Sequence, residues 1–443
     1  MDENLLHELV RGALKAGADA AEAVVGARQS LSVGVRLGEL EEVEREEARD
    51  LGLRVFIGKR QATVSGSDIS PEARGKLLDR AMNMARLAPE EPYASLAPAD
   101  RLAKGPFIDL DLYDPTEPSP ETLEAQALAA EDAARAVPGV TNSDGGSGSW
   151  SSAEYFMVTS SGFSGRHQAS SFSVYAGAIA GDENGMERGG DGRSVRWQSD
   201  LPDLQAIGAE AGKRAVQRLG ARKIDSQTAT VIFEDRVAMS LISPLIGAIA
   251  GPAIARGASF LKTKLHQQVF SSAITILDEP HRKRGLGSQP FDDEGVVNGD
   301  TALIDKGVLT TWLLNSASAR QLGLETTGHA SRGLAGPPGV GTTNLTVQPG
   351  DKDLAGLMSD AGEGLLVTSL FGPSLNGNTG DWSIGVSGFW FEKGQIAYPV
   401  TEITVAGNLI DIYGRVIAGS DLEFRGSRNS PSLMVEGLAI AGR

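Results

Sequence analysis

The chain has 443 residues, more than one hydrophobic core ordinarily organises, so two domains are expected. A formal net charge of -16 with no Lys/Arg-rich run argues against binding nucleic acid, whose phosphates would be repelled. The absence of cysteine excludes disulfides, cysteine-ligated zinc and thiol catalysis, and 55 glycines beside 5% aromatic residues point to strands joined by many turns.

Leu5, Leu6, Leu9, Val10, Ala13 and Leu14 recur at helical spacing and predict a helix over 3–16, ended by Gly17. The acidic opening MDENLLHELV has no basic segment leading into an apolar one, so no secretory signal is read and a cytoplasmic location is expected. Alternation at Leu31, Val33 and Val35, and again at Leu51, Leu53 and Val55, predicts antiparallel strands, with Gly38, Gly52, Gly58 and Gly66 as punctuation. The acidic run from Glu39 to Asp50 reads as a solvated strand face or turn rather than a metal site. Ser70 as N-cap and Pro71 in the first turn start a helix over 70–88. A proline-rich connector covers roughly 89–120, and Glu121 to Val137 is helical up to Pro138-Gly139. Serine- and glycine-rich alternation from Thr141 to Trp197 predicts a meander with exposed faces, in which GDENGMERGGDGRS (181–194) is expected to be a mobile loop or wide turn. Another helix is expected over 202–219.

A composition shift near Lys223–Gln227 divides the chain into expected domains 1–222 and 223–443. ATVIFE (229–234) is a short buried strand, and SPLIGAIAGPAIARGASF (243–260) reads as a helix despite Pro244 and Pro252. Its apolar stripe is Ile242, Leu245, Ile246, Ile249, Ala253 and Ile254; Gly247, Ala250 and Gly251 leave the other side thin. No stretch is long and apolar enough for a membrane span. Short strands and glycine-rich loops are expected beyond it. The predicted class is α+β, with an N-terminal mixed α/β domain of antiparallel strands and a C-terminal β-rich, barrel-like antiparallel domain with few helices.

The sequence contains no complete catalytic set. His7, His167, His266, His281 and His329 form no H-E-x-x-H pattern, and none lies one helical turn from another. GPPGVGTTN (336–344) lacks the lysine of a phosphate-binding loop, and no G-x-S-x-G elbow occurs. PFDDEGV (290–296) gathers Asp292, Asp293 and Glu294, a set that can bind a cation, act as acid and base, or fix a turn by side chain to backbone hydrogen bonds.

The segments SQPFDDEGVVNGDTALIDKGVLTTWLLNSASARQLGLETTGHA, TNLTVQPGD and SGFWFEKGQIAYPVTEITVAGNLIDIY, with DLGLRVFIGKRQATVSGSD near the N-terminus, resemble the TldD/PmbA family, formerly called modulators of DNA gyrase. They span most of the chain in the family's order. The resemblance implies two branches. TldD-like members are similar to zinc metallopeptidases, with an H-E-x-x-x-H motif on a helix and a cysteine near the C-terminus. TldE/PmbA-like members lack that set and pair with a TldD-like subunit, and the pair trims or degrades peptides, including a microcin precursor and an antitoxin. The motif window falls on Ile246 to Gly251, including Gly247, where this chain has no ligand; it has no cysteine either. The resemblance therefore implies the non-catalytic branch. Zinc is expected in the partner subunit and none in this chain, with a homodimer in isolation and no nucleic-acid or membrane contact. Asp292, Asp293, Glu402 and Asn408 are the candidates to line a peptide groove or the subunit interface. Two other readings are an independent hydrolase using Asp292, Asp293 and Glu294, and a homodimeric peptide-binding or regulatory protein.

Overall fold

The computed structural model describes residues 3–183 and 185–443. In the N-terminal half, α1 (Glu3–Lys15) leads into β1 (Ala20–Arg36), β2 (Glu39–Ile57) and β3 (Arg60–Gly66). α2 (Pro71–Leu87) and α3 (Pro120–Arg135) follow on either side of an extended connector, then β4 (Val140–Thr159), β5 (Ser164–Asp182), β6 (Gly185–Val195) and α4 (Leu204–Gln217). The six strands form one antiparallel sheet in the order β3-β2-β1-β4-β5-β6. Strand alternation puts Ala21, Ala23, Val25, Leu31, Val33 and Val35 on one face. α1 and α2 cover one end of that face, while α3 and α4 cover the other. The Ser70 hydroxyl accepts from Ala73 N at the start of α2, as the cap pattern predicts.

The structure departs from two expectations in this half. The stretch 181–194 is the turn and outer strand of the β5–β6 hairpin, in register from Phe172↔Val195 to Asp182↔Gly185; Asn184 lies outside the described residues. Its glycines resemble a loop in sequence because α4 packs against them: a Cβ on Gly189 would stand 2.2 Å from Ala215 N. Gly52 is not punctuation but lies inside β2, where the Leu334 carbonyl oxygen would be 2.5 Å from an added Cβ.

The C-terminal half begins with β7 (Gln227–Phe233), α5 (Asp235–Ala248) and α6 (Gly251–Ala255). It continues through β8 (Ile276–Asp278), β9 (Thr301–Asp305), β10 (Val308–Leu309), α7 (Ser316–Leu322), β11 (Ala330–Ser331), β12 (Gly339–Val340), β13 (Leu345–Val347) and α8 (Leu354–Ala361). The last elements are β14 (Glu363–Leu375), β15 (Asp381–Glu392), β16 (Gln395–Asn408), α9 (Leu409–Tyr413), β17 (Ile417–Ala418), β18 (Arg428–Asn429) and β19 (Leu433–Ala441). β16-β15-β14-β7-β19 form a barrel closed by the β16–β19 pairing; β7–β14 is its parallel pair. Short strands occur as expected from β8 to β13 and at β17 and β18, but the barrel itself is built of longer ones such as β14, β15 and β16. Their internal glycines read as loop breaks, yet they sit where curvature brings backbones together: a Cβ on Gly388 would stand 1.9 Å from the Leu366 carbonyl oxygen. Among the described residues, no helix is long and apolar enough to cross a membrane.

The stretch 243–260 is not one helix. α5 ends at Ala248, and Ile249 and Ala250 turn away before the short α6. Gly251 N donates to Leu313 O at 2.8 Å and Leu313 N donates to Ile249 O at 3.0 Å, so a neighbouring strand-like segment satisfies the broken turn. Ile242, Leu245 and Ile249 are fully buried in the barrel core, and Ile246 and Ile254 pack at its margin. The small residues differ in role. A Cβ on Gly251 would meet Ser318 Oγ at 2.5 Å, whereas nothing lies within 4 Å of one on Gly247. Gly251→Ala should therefore cost about 1–3 kcal/mol by overpacking, while Gly247→Ala should gain up to about 1 kcal/mol of helix propensity. Urea unfolding of the two variants checks the opposite signs.

Candidate functional site

The motif window crosses the end of α5. Ile246 is half-buried, Gly247 is exposed, Ile249 and Ala250 form the break, and Gly251 opens α6. The nearby hydroxyls are engaged locally: Ser240 Oγ donates to Val237 O and Ser243 Oγ to Met239 O. No imidazole, carboxylate or thiol belongs to this window, and among the described residues no group of three or more His, Cys, Asp or Glu is arranged to hold a metal ion. These donors do not fit a zinc ion of the kind a metallopeptidase holds.

The acidic loop lies elsewhere, in the seam between the halves. The sheet face opposite α1 carries Glu22, Val24 and Gly26, and residues 290–297 and 330–334 pack onto it. Phe291 sits 4.9 Å from both Phe107 and Phe163, and Leu334 closes the same apolar cluster. Asp292 is fully buried, with Oδ1 accepting from Glu294 N and Val296 N and Oδ2 from Ala330 N. Asp293 Oδ2 accepts from Arg332 N at 2.9 Å, and Glu294 Oε2 accepts from both the amide and the hydroxyl of Ser316. Of the readings open to this carboxylate triplet, turn fixation is the one with a bond at every member.

Beneath the loop is a buried ion cluster. Glu22 pairs with Arg54 at 3.2 Å and with Arg332, all three nearly inaccessible, and Arg54 also donates to Gln61 at 2.7 Å. Burial opposes the charge on Glu22, but Arg54 and Arg332 outweigh it and hold the carboxyl below its usual range. Asp293 goes the other way: burial raises it to about 6, against the Arg332 amide and charge. Burial also raises Asp292, well above its ordinary value with Glu294 adding to it, and raises Glu294. Burial pushes His167 down to about 4, so it is neutral near pH 7. It lines a cavity of about 520 Å³ with Phe107, Asp109, Asp111, Trp197 and Pro290.

The other candidates lie apart from this seam and from each other. Glu402, at φ 54° in the β16 bulge, pairs on the surface with Lys223 at 2.6 Å. Asn408 caps α9 and bonds Asp381 and Thr379 O. His281 bonds Asn298, and His329 is buried beside Thr327, 3.4 Å from Asp278. Glu22, Arg54 and Arg332 were not singled out by sequence. The available signal was a charge inside an apolar strand, in AAEAVV and LGLRVFI, but alternation alone assigns such a residue to an exposed face.

Comparison with known proteins gives a consistent result along the chain. The PmbA/TldA metallopeptidase domain 1 matches residues 21–85, the central domain of that family 113–219 and its C-terminal domain 226–442. Metalloprotease PmbA of Escherichia coli O157:H7 is 36% identical over 99% of this chain and 96% of its own length. A Haemophilus influenzae homologue of PmbA is 34% identical over 97% and 94%. A crystal structure of a Bacteroides thetaiotaomicron protein named as a modulator of DNA gyrase superposes with a TM-score of 0.92 at 28% identity, covering both chains fully. TldE from Thermococcus kodakarensis shares the fold, with a TM-score of 0.88 at 21% identity over 99% of this chain and 100% of its own.

Two measurements test the seam. Glu22→Gln should lower the unfolding free energy by about 3–5 kcal/mol, because two buried guanidinium groups lose their counter-charge, whereas Glu402→Gln on the surface should change it by less than about 0.5 kcal/mol. For Asp293, a folded-state pKa above the unfolded one means stability present below about pH 4 and lost as pH rises through about 6. Asp293→Asn, which mimics the protonated acid, should match the parent at pH 4 and exceed it by about 1–3 kcal/mol at pH 7.5. Denaturant melts at the two pH values read the difference.

Proposed function

The chain belongs to the PmbA/TldD metallopeptidase family, and from that membership we propose that it is the TldE/PmbA-like, non-catalytic subunit of a heterodimeric zinc peptidase acting on peptides in the cytoplasm. The observation that carries this is the motif window. Ile246 to Gly251 offer no ligand, the flanking hydroxyls are committed to backbone acceptors, and the helix breaks within the window. A zinc peptidase needs side chains that hold the metal and a base that takes a proton from bound water. Both would come from a TldD-like partner. This chain would complete the cleft and hold an extended peptide by backbone hydrogen bonds; in the absence of the partner it would pair with itself through the same shared scaffold.

The reading as an independent carboxylate hydrolase has less support. Asp292 already accepts three backbone N–H groups and Glu294 is bound to Ser316, which leaves them little freedom to handle a substrate proton.

Purified alone, the chain should carry substoichiometric zinc by elemental analysis and cleave no unstructured peptide. Co-expression with an H-E-x-x-x-H-bearing family member should yield a stoichiometric complex whose peptidase activity is lost with chelator. Stoichiometric zinc and chelator-sensitive cleavage by the lone chain would refute the assignment.

A further inference from the structure

The first stretch of β2 has a free edge. From Glu39 to Ile57 the strand pairs with β1 throughout, but β3 joins its other side only from Leu51 onward. The segment Glu39–Asp50 therefore turns one row of backbone N–H and C=O groups outward over roughly 40 Å, at about 3.3 Å per residue. It contains no proline or lysine; the devices it does carry against such pairing are its charged side chains and a β-bulge at Glu41, near its start. Nearly every side chain along it is exposed, on both faces.

The edge is also held rigid. The β1–β2 turn at Leu37 and Gly38 has both residues at positive φ, 55° and 82°. Their amides donate to the two carboxylate oxygens of Glu131 in α3, which is itself fully buried and also receives the Ser143 hydroxyl. A buried carboxylate thus fixes the turn that presents the strand.

The two faces beside the edge differ. On one, Glu42, Glu44 and Glu46 stand opposite Gly34, Ser32 and Ser30 of β1. The same rows continue as Ser147, Ser149 and Ser151 on β4. Nothing bulky in those rows of β1 and β4 shields the carboxylates. On the other face, Leu40 and Val43 are each 48% exposed, and Arg45 is already held by Glu47 and Glu117. Seven of the residues from Glu39 to Asp50 are acidic and two are arginine.

We propose that this edge binds an extended polypeptide segment as an added β-strand, with lysine or arginine facing Glu42, Glu44 and Glu46 and apolar residues facing Leu40 and Val43. The unpaired backbone row supplies the pairing, and charge complementarity selects a basic strand over a second copy of this acidic one. The pinned turn reduces the ordering cost of binding. The interaction needs neither zinc nor a catalytic partner, so it stands or falls separately from the role proposed above.

The test is fluorescence anisotropy of the full chain with a labelled dodecapeptide that alternates lysine with threonine and valine. Binding is expected to weaken with salt and to drop by roughly tenfold or more in the Glu42→Gln/Glu44→Gln/Glu46→Gln variant. A peptide of the same charge with alternate backbone amides methylated should lose a similar factor, since it cannot extend the sheet. The substituted side chains are exposed, so circular dichroism and the melting temperature should not change. Equal binding of the methylated peptide, equal binding by the triple variant, or no binding at all would overturn the proposal. A dimer of the free chain that Val43→Lys abolishes would assign the edge to a second copy and also overturn it.

Discussion

The carboxylate of Glu22, held between Arg54 and Arg332, is the interaction on which the relation of the two halves depends. Glu22 and Arg54 come from neighbouring strands of the N-terminal sheet, and Arg332 comes from the other half. Three ionised groups with almost no solvent access are tolerated only because they neutralise and bond one another. Around them the Phe107, Phe163 and Phe291 rings and Leu334 exclude water. The acidic loop is fixed from both sides, by the Leu102↔Val296 bridge and by the bonds of Asp292 and Asp293 to Ala330 and Arg332. The apolar cluster supplies area, and the ion cluster makes that area specific to one docking geometry.

This arrangement explains how one sheet serves three ends. Its covered face holds the helices. Its opposite face meets the C-terminal half at Glu22, Val24 and Gly26, then continues past that contact as small polar rows of glycine and serine. The change occurs within β1, where the even-numbered residues pass from buried Glu22 and Val24 to Ser30 and Ser32. Strand alternation keeps the faces in phase for the whole length, so one strand has an interface at one end and a presented edge at the other.

Family membership rests on the scaffold. The scaffold matches the family along all three of its domains. The end of α5 serves packing: Gly251 lets Ser318 and Leu314 close in, and Leu313 bonds the broken turn. A scaffold can be kept while its reactive groups are replaced, because the barrel core and the active centre draw on different residues.

Much of this was legible in the sequence. The helices at 3–16, 70–88, 121–137 and 202–219 were set by apolar spacing and by caps such as Ser70, which are local properties. That Ile246–Gly251 contain no His, Asp, Glu or Cys, and that the chain has no cysteine, is read from the sequence itself. Tertiary structure decided what local pattern could not. Glycine at positions 52, 189 and 388 reads as a break, but it marks a backbone approach from a segment remote in sequence. Asp292, Glu402 and Asn408 share a polar character in sequence, yet one is saturated in the seam, one is on the surface and one caps a helix. Glu22, Arg54 and Arg332 show as isolated charges until folding brings together residues 310 positions apart, because a buried ion pair is defined by its partners and those are set only by the packed chain.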